Sequence, residues 1–135
     1  MRDYARSQTV RLLQHLAATL QHAAHDADAE AVHNLRVAMR RLSACLRVFA
    51  PFYPPGSWKK VRRRISVLMA AAGTVRDCDI AMELARSAGL GRSRGLMPLL
   101  TAHRRKAGHD LQAELRRWKE RDYPRRWSRR LELER

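Results

Sequence analysis

The chain has only two cysteines, Cys45 and Cys78. Both fall on predicted helices beside apolar residues, so they read as packed thiols rather than as a disulfide or a metal pair. No apolar run approaches the ~20 residues of a membrane-spanning helix. The N-terminus lacks the apolar core of a signal peptide, and the expectation is a soluble, cytoplasmic chain with no membrane partner. Strand-like alternation is missing throughout, which leaves an all-α reading. The one glycine-rich stretch, GLGRSRG from Gly89 to Gly95, has neither dinucleotide-fingerprint nor Walker A spacing and follows no strand, so it reads as a helix connection.

Acidic residues are scarce as well. Thirteen Asp and Glu stand against 28 Lys and Arg, a formal net charge of +15. So large an excess repels itself in the free fold and implies a polyanionic partner. Most of the cations are arginines, whose forked guanidinium suits two-pronged contact with phosphate or carboxylate oxygens. Nucleic acid, anionic lipid and polyphosphate are the classes to separate.

What is present is helical periodicity. At 135 residues the chain has room for one domain, 1–135, with one moderate core. A first helix runs from about Asp3 to Ala24, with Val10, Leu13, Ala17 and Leu20 on one face. His22 and His25, three apart near Asp26 and Asp28, have the spacing of a metal pair. The segment reads better as a helix end followed by an N-cap, Asp28 or Asp26, and no metal or other cofactor is expected. Pro51, Pro54, Pro55 and Gly56 end the second helix. Ser57 is the expected N-cap of a third, whose seam is Trp58, Val61, Ile65, Leu68, Ala72 and Val75. Gly73 is a candidate bend, and the apolar pattern resumes through Ile80 and Leu84. Arg76 projects toward that seam with Asp79 three residues on, which predicts a partly buried ion pair. A fourth helix starts near Met97 with Pro98 in its first turn. Its seam is Leu100, Ala107, Leu111, Leu115 and Trp118, and Tyr123-Pro124 interrupts it before an Arg-rich tail. Four amphipathic helices with short to moderate connections predict an antiparallel four-helix bundle with a strongly basic surface.

The second helix carries the candidate site. In Ala31 to Phe49, AVHNLRVAMRRLSACLRVF, Val32, Leu35, Met39, Leu42, Leu46 and Phe49 make a buried seam. His33, Arg36, Arg40 and Arg47 make a second stripe, within about 60° of one another and roughly 20 Å long. One helix thus joins a core face to a separate ladder of cationic donors.

VHNLRVAMRRL, followed some thirty residues later by the Gly-x-Val-Arg-Asp-x-Asp segment of Gly73 to Asp79, resembles the CHAD family, the conserved histidine α-helical domains. A fourth helix with Leu, His, Arg and a late Tyr follows, as it does there, so the resemblance covers nearly the whole chain. Family members are helical, bind inorganic polyphosphate and are found at polyphosphate granules; some are fused to triphosphate tunnel domains. The resemblance places the family's histidine on His33 and its helix-two arginines on Arg36, Arg40 and Arg41, with Arg47 further along. It places the Arg-Asp-x-Asp motif on Arg76, Asp77 and Asp79, and an opposing basic wall on Lys59, Arg63, Arg104 and Arg105. A full-length module resembles two four-helix bundles related by a pseudo-twofold, and this chain has one. The expected assembly is therefore a twofold homodimer.

The residues fit that implication on their own terms. Polyphosphate has a charge on every unit and no bases, so a binder needs donors at regular spacing, and helix N-termini can add amides. Aromatic stacking platforms, usual for single-stranded nucleic acid, are missing from the stripe. The reading is a non-catalytic polyphosphate-binding module, with sequence-independent nucleic-acid binding through the same surface as the alternative. An enzyme is disfavoured: Asp77 and Asp79 are two apart and point to different sides of a helix, and His33 has no evident nucleophile beside it.

Overall fold

The structure is a computed structural model that describes residues 1–133. It contains five α-helices and, among the described residues, no strand: α1 Arg2–His25, α2 Ala29–Val48, α3 Ser57–Ser87, α4 Leu96–Arg121 and α5 Tyr123–Arg130. A short 3₁₀ turn, Ala50–Phe52, lies between α2 and α3. Among the described residues no helix is long and apolar enough to cross a membrane.

Local chemistry sets the helix ends. Asp28, not Asp26, caps α2, with its carboxylate accepting the Ala31 amide at 2.8 Å. Gly56 in the left-handed region (φ 78°) turns the chain into α3, a conformation that costs glycine little. Ser57, expected as the cap, is the first helical residue instead, and its hydroxyl donates to the Pro54 carbonyl at 2.6 Å. α3 runs through Gly73 without interruption. Asp122, also left-handed (φ 48°), separates α4 from α5. Pro124 sits in the first turn of α5, where its missing N–H costs nothing.

Adjacent helices pack in chain order, α1 on α2, α2 on α3 and α3 on α4, while α4 and α5 both return to α1. The α2 seam is buried as the spacing predicts, with Val32, Leu35, Met39, Leu42 and Leu46 fully enclosed and Phe49 half-buried. On α1 the enclosed face is shifted from the expected one: Leu16 and Ala23 join Leu13 and Leu20, while Val10 and Ala17 are half-buried. Val61, Ile65, Leu68, Ala72 and Val75 of α3 meet Ala107, Leu111, Leu115 and Trp118 of α4 in one cluster. The tail closes it. Trp127 of α5 packs edge-on to Trp118 with centroids 4.9 Å apart and stacks on Tyr123 at 5.7 Å.

Polar ties also cross between helices. Arg62 Nε donates to Ser43 Oγ at 3.0 Å, between α3 and α2. Arg64 Nη2 lies 3.1 Å from Glu114 Oε1, close enough for an ion pair though not aligned as a hydrogen bond. Arg104 Nε donates to Asp79 Oδ1 at 3.0 Å, and Gln112 Nε2 donates to the Ala23 carbonyl at 3.2 Å.

Candidate functional site

Building up from α2, the ladder keeps its own face. His33, Arg40 and Arg47 are exposed, and Arg36, nearest the core edge, is half-buried with Nε enclosed and without a hydrogen-bond partner. At 1.5 Å per residue the four side chains are strung along about 21 Å. Ser43 lies about 20° from Arg36 on the helical wheel, and Ser43 is the residue that Arg62 of α3 reaches. The ladder therefore borders the α2–α3 junction. Arg41 is exposed too, but sits about 80° round the helix from His33.

On α3 the basic residues divide. Trp58, expected as core, is half-buried, with Lys59 Nζ at 5.7 Å and the Arg62 guanidinium at 5.8 Å from its ring centroid. The ring thus gathers two cations beside the junction. Arg62 was not a candidate by sequence; its only signal is a position about 100° from Val61, beside rather than opposite the seam. Arg63 is exposed about 160° from both Val61 and Ile65, and nothing in the geometry draws it to the ladder. Arg64 turns the other way, toward Glu114, with its guanidinium 4.9 Å from the centre of the Tyr123 ring.

Arg104 and Arg105 part company for the same geometric reason. Arg104 stands three residues before Ala107 on the row that continues through Leu111, Leu115 and Trp118, so it points inward. Its Nε meets Asp79, and its Nη2 donates to the Ala27 carbonyl at 2.6 Å. One guanidinium so ties α3 and α4 to the link between α1 and α2. Arg105 is exposed on another side of α4.

The expected Arg76–Asp79 ion pair is a correction. Asp79 takes Arg104, 25 residues away, while no ion pair joins it to Arg76 among the described residues. A spacing of three brings side chains near one another, but it does not compete with a fork arriving from a packed neighbouring helix. Asp79 Oδ2 is buried without a hydrogen-bond partner, and Asp77 is exposed. At the start of α2 the Asp28 carboxylate occupies the Ala31 amide, so that helix end offers less to an anion than a free one. Among the described residues no group of His, Cys, Asp or Glu is arranged to hold a metal ion, and both cysteines are free thiols.

The histidine and arginines of α2, and the Arg-Asp-x-Asp segment whose second aspartate anchors Arg104, lie inside a match to the family model of the CHAD domain over residues 8–134. This chain belongs to the CHAD family. Neither a curated protein nor a solved structure matches it. In this CHAD domain, then, the exposed ladder of α2 and the α3 cations gathered by Trp58 form the candidate surface, and the clasp of Arg104 lies within the fold.

Proposed function

We propose that this CHAD domain binds inorganic polyphosphate without turning it over, along the ladder of α2 and the α3 side chains that border it. The observation that carries the reading is the ladder itself: three exposed cationic-face side chains and one half-buried arginine in line. They are rigidly spaced by a helix whose separate apolar seam is enclosed. Holding donors on a helix fixes their spacing before the ligand arrives, which lowers the entropic cost of binding. Lys59 and Arg62 extend the surface across the junction, and Arg41, Arg63 and Arg105 add long-range attraction from neighbouring faces.

The scaffold is an antiparallel four-helix bundle in this reading. Arg64 early in α3 reaches Glu114 late in α4, whereas Asp79 late in α3 reaches Arg104 early in α4. Opposite order along the two helices is what antiparallel packing produces. A cytoplasmic protein that gathers at polyphosphate granules fits the same surface, and no catalytic step is part of the proposal.

The test is titration with polyphosphate of defined length at several salt concentrations. Replacing Arg36, Arg40 and Arg47 together by Gln keeps good helix formers. Affinity should fall by orders of magnitude, and the slope of log affinity against log salt should flatten because fewer counterions are displaced. A folded triple variant with unchanged affinity would move the site elsewhere. Nucleic acid that short polyphosphate fails to displace would favour a nucleic-acid binder instead.

A further inference from the structure

The Arg-rich tail is the one basic stretch of the sequence that the ladder and its borders do not absorb. In the structure it is α5, YPRRWSRR, and its apolar row is enclosed: Tyr123, Trp127 and then Leu131 belong to the core cluster. Arg125, Arg126, Arg129 and Arg130 are all exposed. Arg125 and Arg129 stand about 160° from the middle of the enclosed row, and Arg126 and Arg130 cover one flank.

The fold does not answer these charges. Among the described residues none of the four is in an ion pair. From Lys119 to Glu132 six basic residues stand against three acidic ones. Those three, Glu120, Asp122 and Glu132, lie beyond the two ends of the arginine run and pair with none of its members. α1, on which α5 packs, brings Arg2 and Arg6 beside Leu131 and Leu133, with Asp3 already 3.5 Å from Arg6. The helix itself gains little. Arg125 with Arg129 and Arg126 with Arg130 are like-charge pairs four residues apart, which repel. Arg125 and Arg126 also stand near the N-terminal end of α5, where the helix dipole disfavours cations, while Arg129 and Arg130 in the last turn are favoured. An anion laid over the four relieves the repulsion.

Position separates this face from the ladder. α2 packs on α1 and α3, and so does α4, which puts α2 and α4 at diagonal corners. α5 follows α4 back along α1, so its arginines and the ladder face opposite sides of the bundle. The kind of anion follows from the side chains around them. The rings of α5 are enclosed, so the helix offers no platform for a base to stack on and no apolar side chain to insert into a bilayer. Forked donors alone suit a ligand that is phosphate throughout.

We propose that α5 is a second polyphosphate-binding face, and that the domain uses it together with the ladder to bridge two polyphosphate chains. The α5 site stands on its own residues; the bridging rests on the polyphosphate reading of the ladder. A binder with one face coats a polyanion, whereas one with two opposed faces ties separate chains into a network.

Calorimetric titration of the full chain with short inorganic polyphosphate, shorter than the roughly 20 Å across two packed helices, counts the sites. The wild type should take two ligands per chain. Changing Arg125, Arg126, Arg129 and Arg130 together to Gln should leave one, with circular dichroism unchanged because Gln is a good helix former. Light scattering with long polyphosphate reads the bridging: the wild type should form large particles and the α5 variant should stay clear. A control with Arg86, Arg92, Arg94 and Lys106 changed to Gln loses the same number of charges. Those four are exposed where α3 and α4 run past the shared core, the buried run on α3 ending at Val75 but for Ala85 and that on α4 starting at Ala107. The control should bind two ligands and form particles as the wild type does. One ligand per wild-type chain would overturn the proposal, and so would two in the α5 variant. Equal loss of particles in both four-charge variants would overturn the bridging and make condensation a matter of net charge. An RNA oligonucleotide that short polyphosphate fails to displace from the Arg36, Arg40 and Arg47 variant would give α5 to nucleic acid instead. Two short ligands still bound by that variant would unseat the ladder and leave the α5 site standing, so the two readings fail separately.

Discussion

Thr9 sits fully buried on α1, with its hydroxyl donating to the Ala5 carbonyl at 2.7 Å. Its proton is committed there, so the Tyr53 phenol donates to Thr9 Oγ1, with Cys45 Sγ close to both. Burial pushes the Tyr53 phenol well above its ordinary value of 10.0, and the neighbouring Cys45 pushes it the same way. The folded protein therefore holds this proton more tightly than the unfolded chain. Stability from Tyr53 is complete below pH about 10 and should be lost as pH rises above it, because the unfolded phenol ionises first. Tyr53→Phe should cost about 1 kcal/mol at neutral pH, the scale of one hydrogen bond. The variant should also lose less stability between pH about 9.5 and about 11.5. Denaturant melts of both proteins across that range check the sign, and parallel curves would show that Tyr53 does not titrate with unfolding.

Between helices, the clasp of Arg104 and the ladder of α2 make opposite demands on arginine. The ladder needs guanidiniums free for a ligand, whereas Arg104 is half-buried with Asp79 and the Ala27 carbonyl on its donors. Gly108 helps to make that possible: a Cβ there would stand 2.8 Å from Arg104 Nη1. Asp79→Asn removes a charged acceptor and should cost about 1.5–3 kcal/mol, the value of a hydrogen bond to a charged group. Arg104→Met should destabilise similarly, and the double variant should cost less than the two single changes added. Both should leave the salt dependence of polyphosphate binding as it is. A flatter slope in Arg104→Met alone would make Arg104 a ligand rather than a clasp. The same contrast explains what was legible in the sequence. The α2 seam and ladder both follow helix spacing, so they could be read locally and the seam is found buried. Arg104's partners lie 25 and 77 residues away, and no local spacing carries that information. Arg76 shows the reverse failure, a favourable spacing overridden by a longer-range contact. Arg62 is one basic surface residue among several by spacing, because its significance depends on which helix packs beside α3.

At the scale of the molecule, α3 and α4 outlast their supports. The helices up to Val75 and from Ala107 on share one core with α1, α2 and α5, while the overhang between them is held chiefly by α3 and α4 pairing with each other. Ile80 stands five residues beyond Val75, about 140° round the helix, so Ile80 and Leu84 leave the seam face and the spacing itself marks this boundary. The consequence is kinetic. Two paired helices with few enclosed side chains open at lower free energy than the body they extend from. Amides of residues 80–106 should exchange with solvent deuterium through local opening that responds weakly to denaturant, while those of the α2 seam should wait for global unfolding. Trypsin should cut first at Arg92 or Arg94, in the exposed connection. Uniform protection along α3 from Val61 to Leu84 would show that the overhang is as stable as the core. The tip breathes and the body does not, so a protease would reach one loop long before the fold itself gives way.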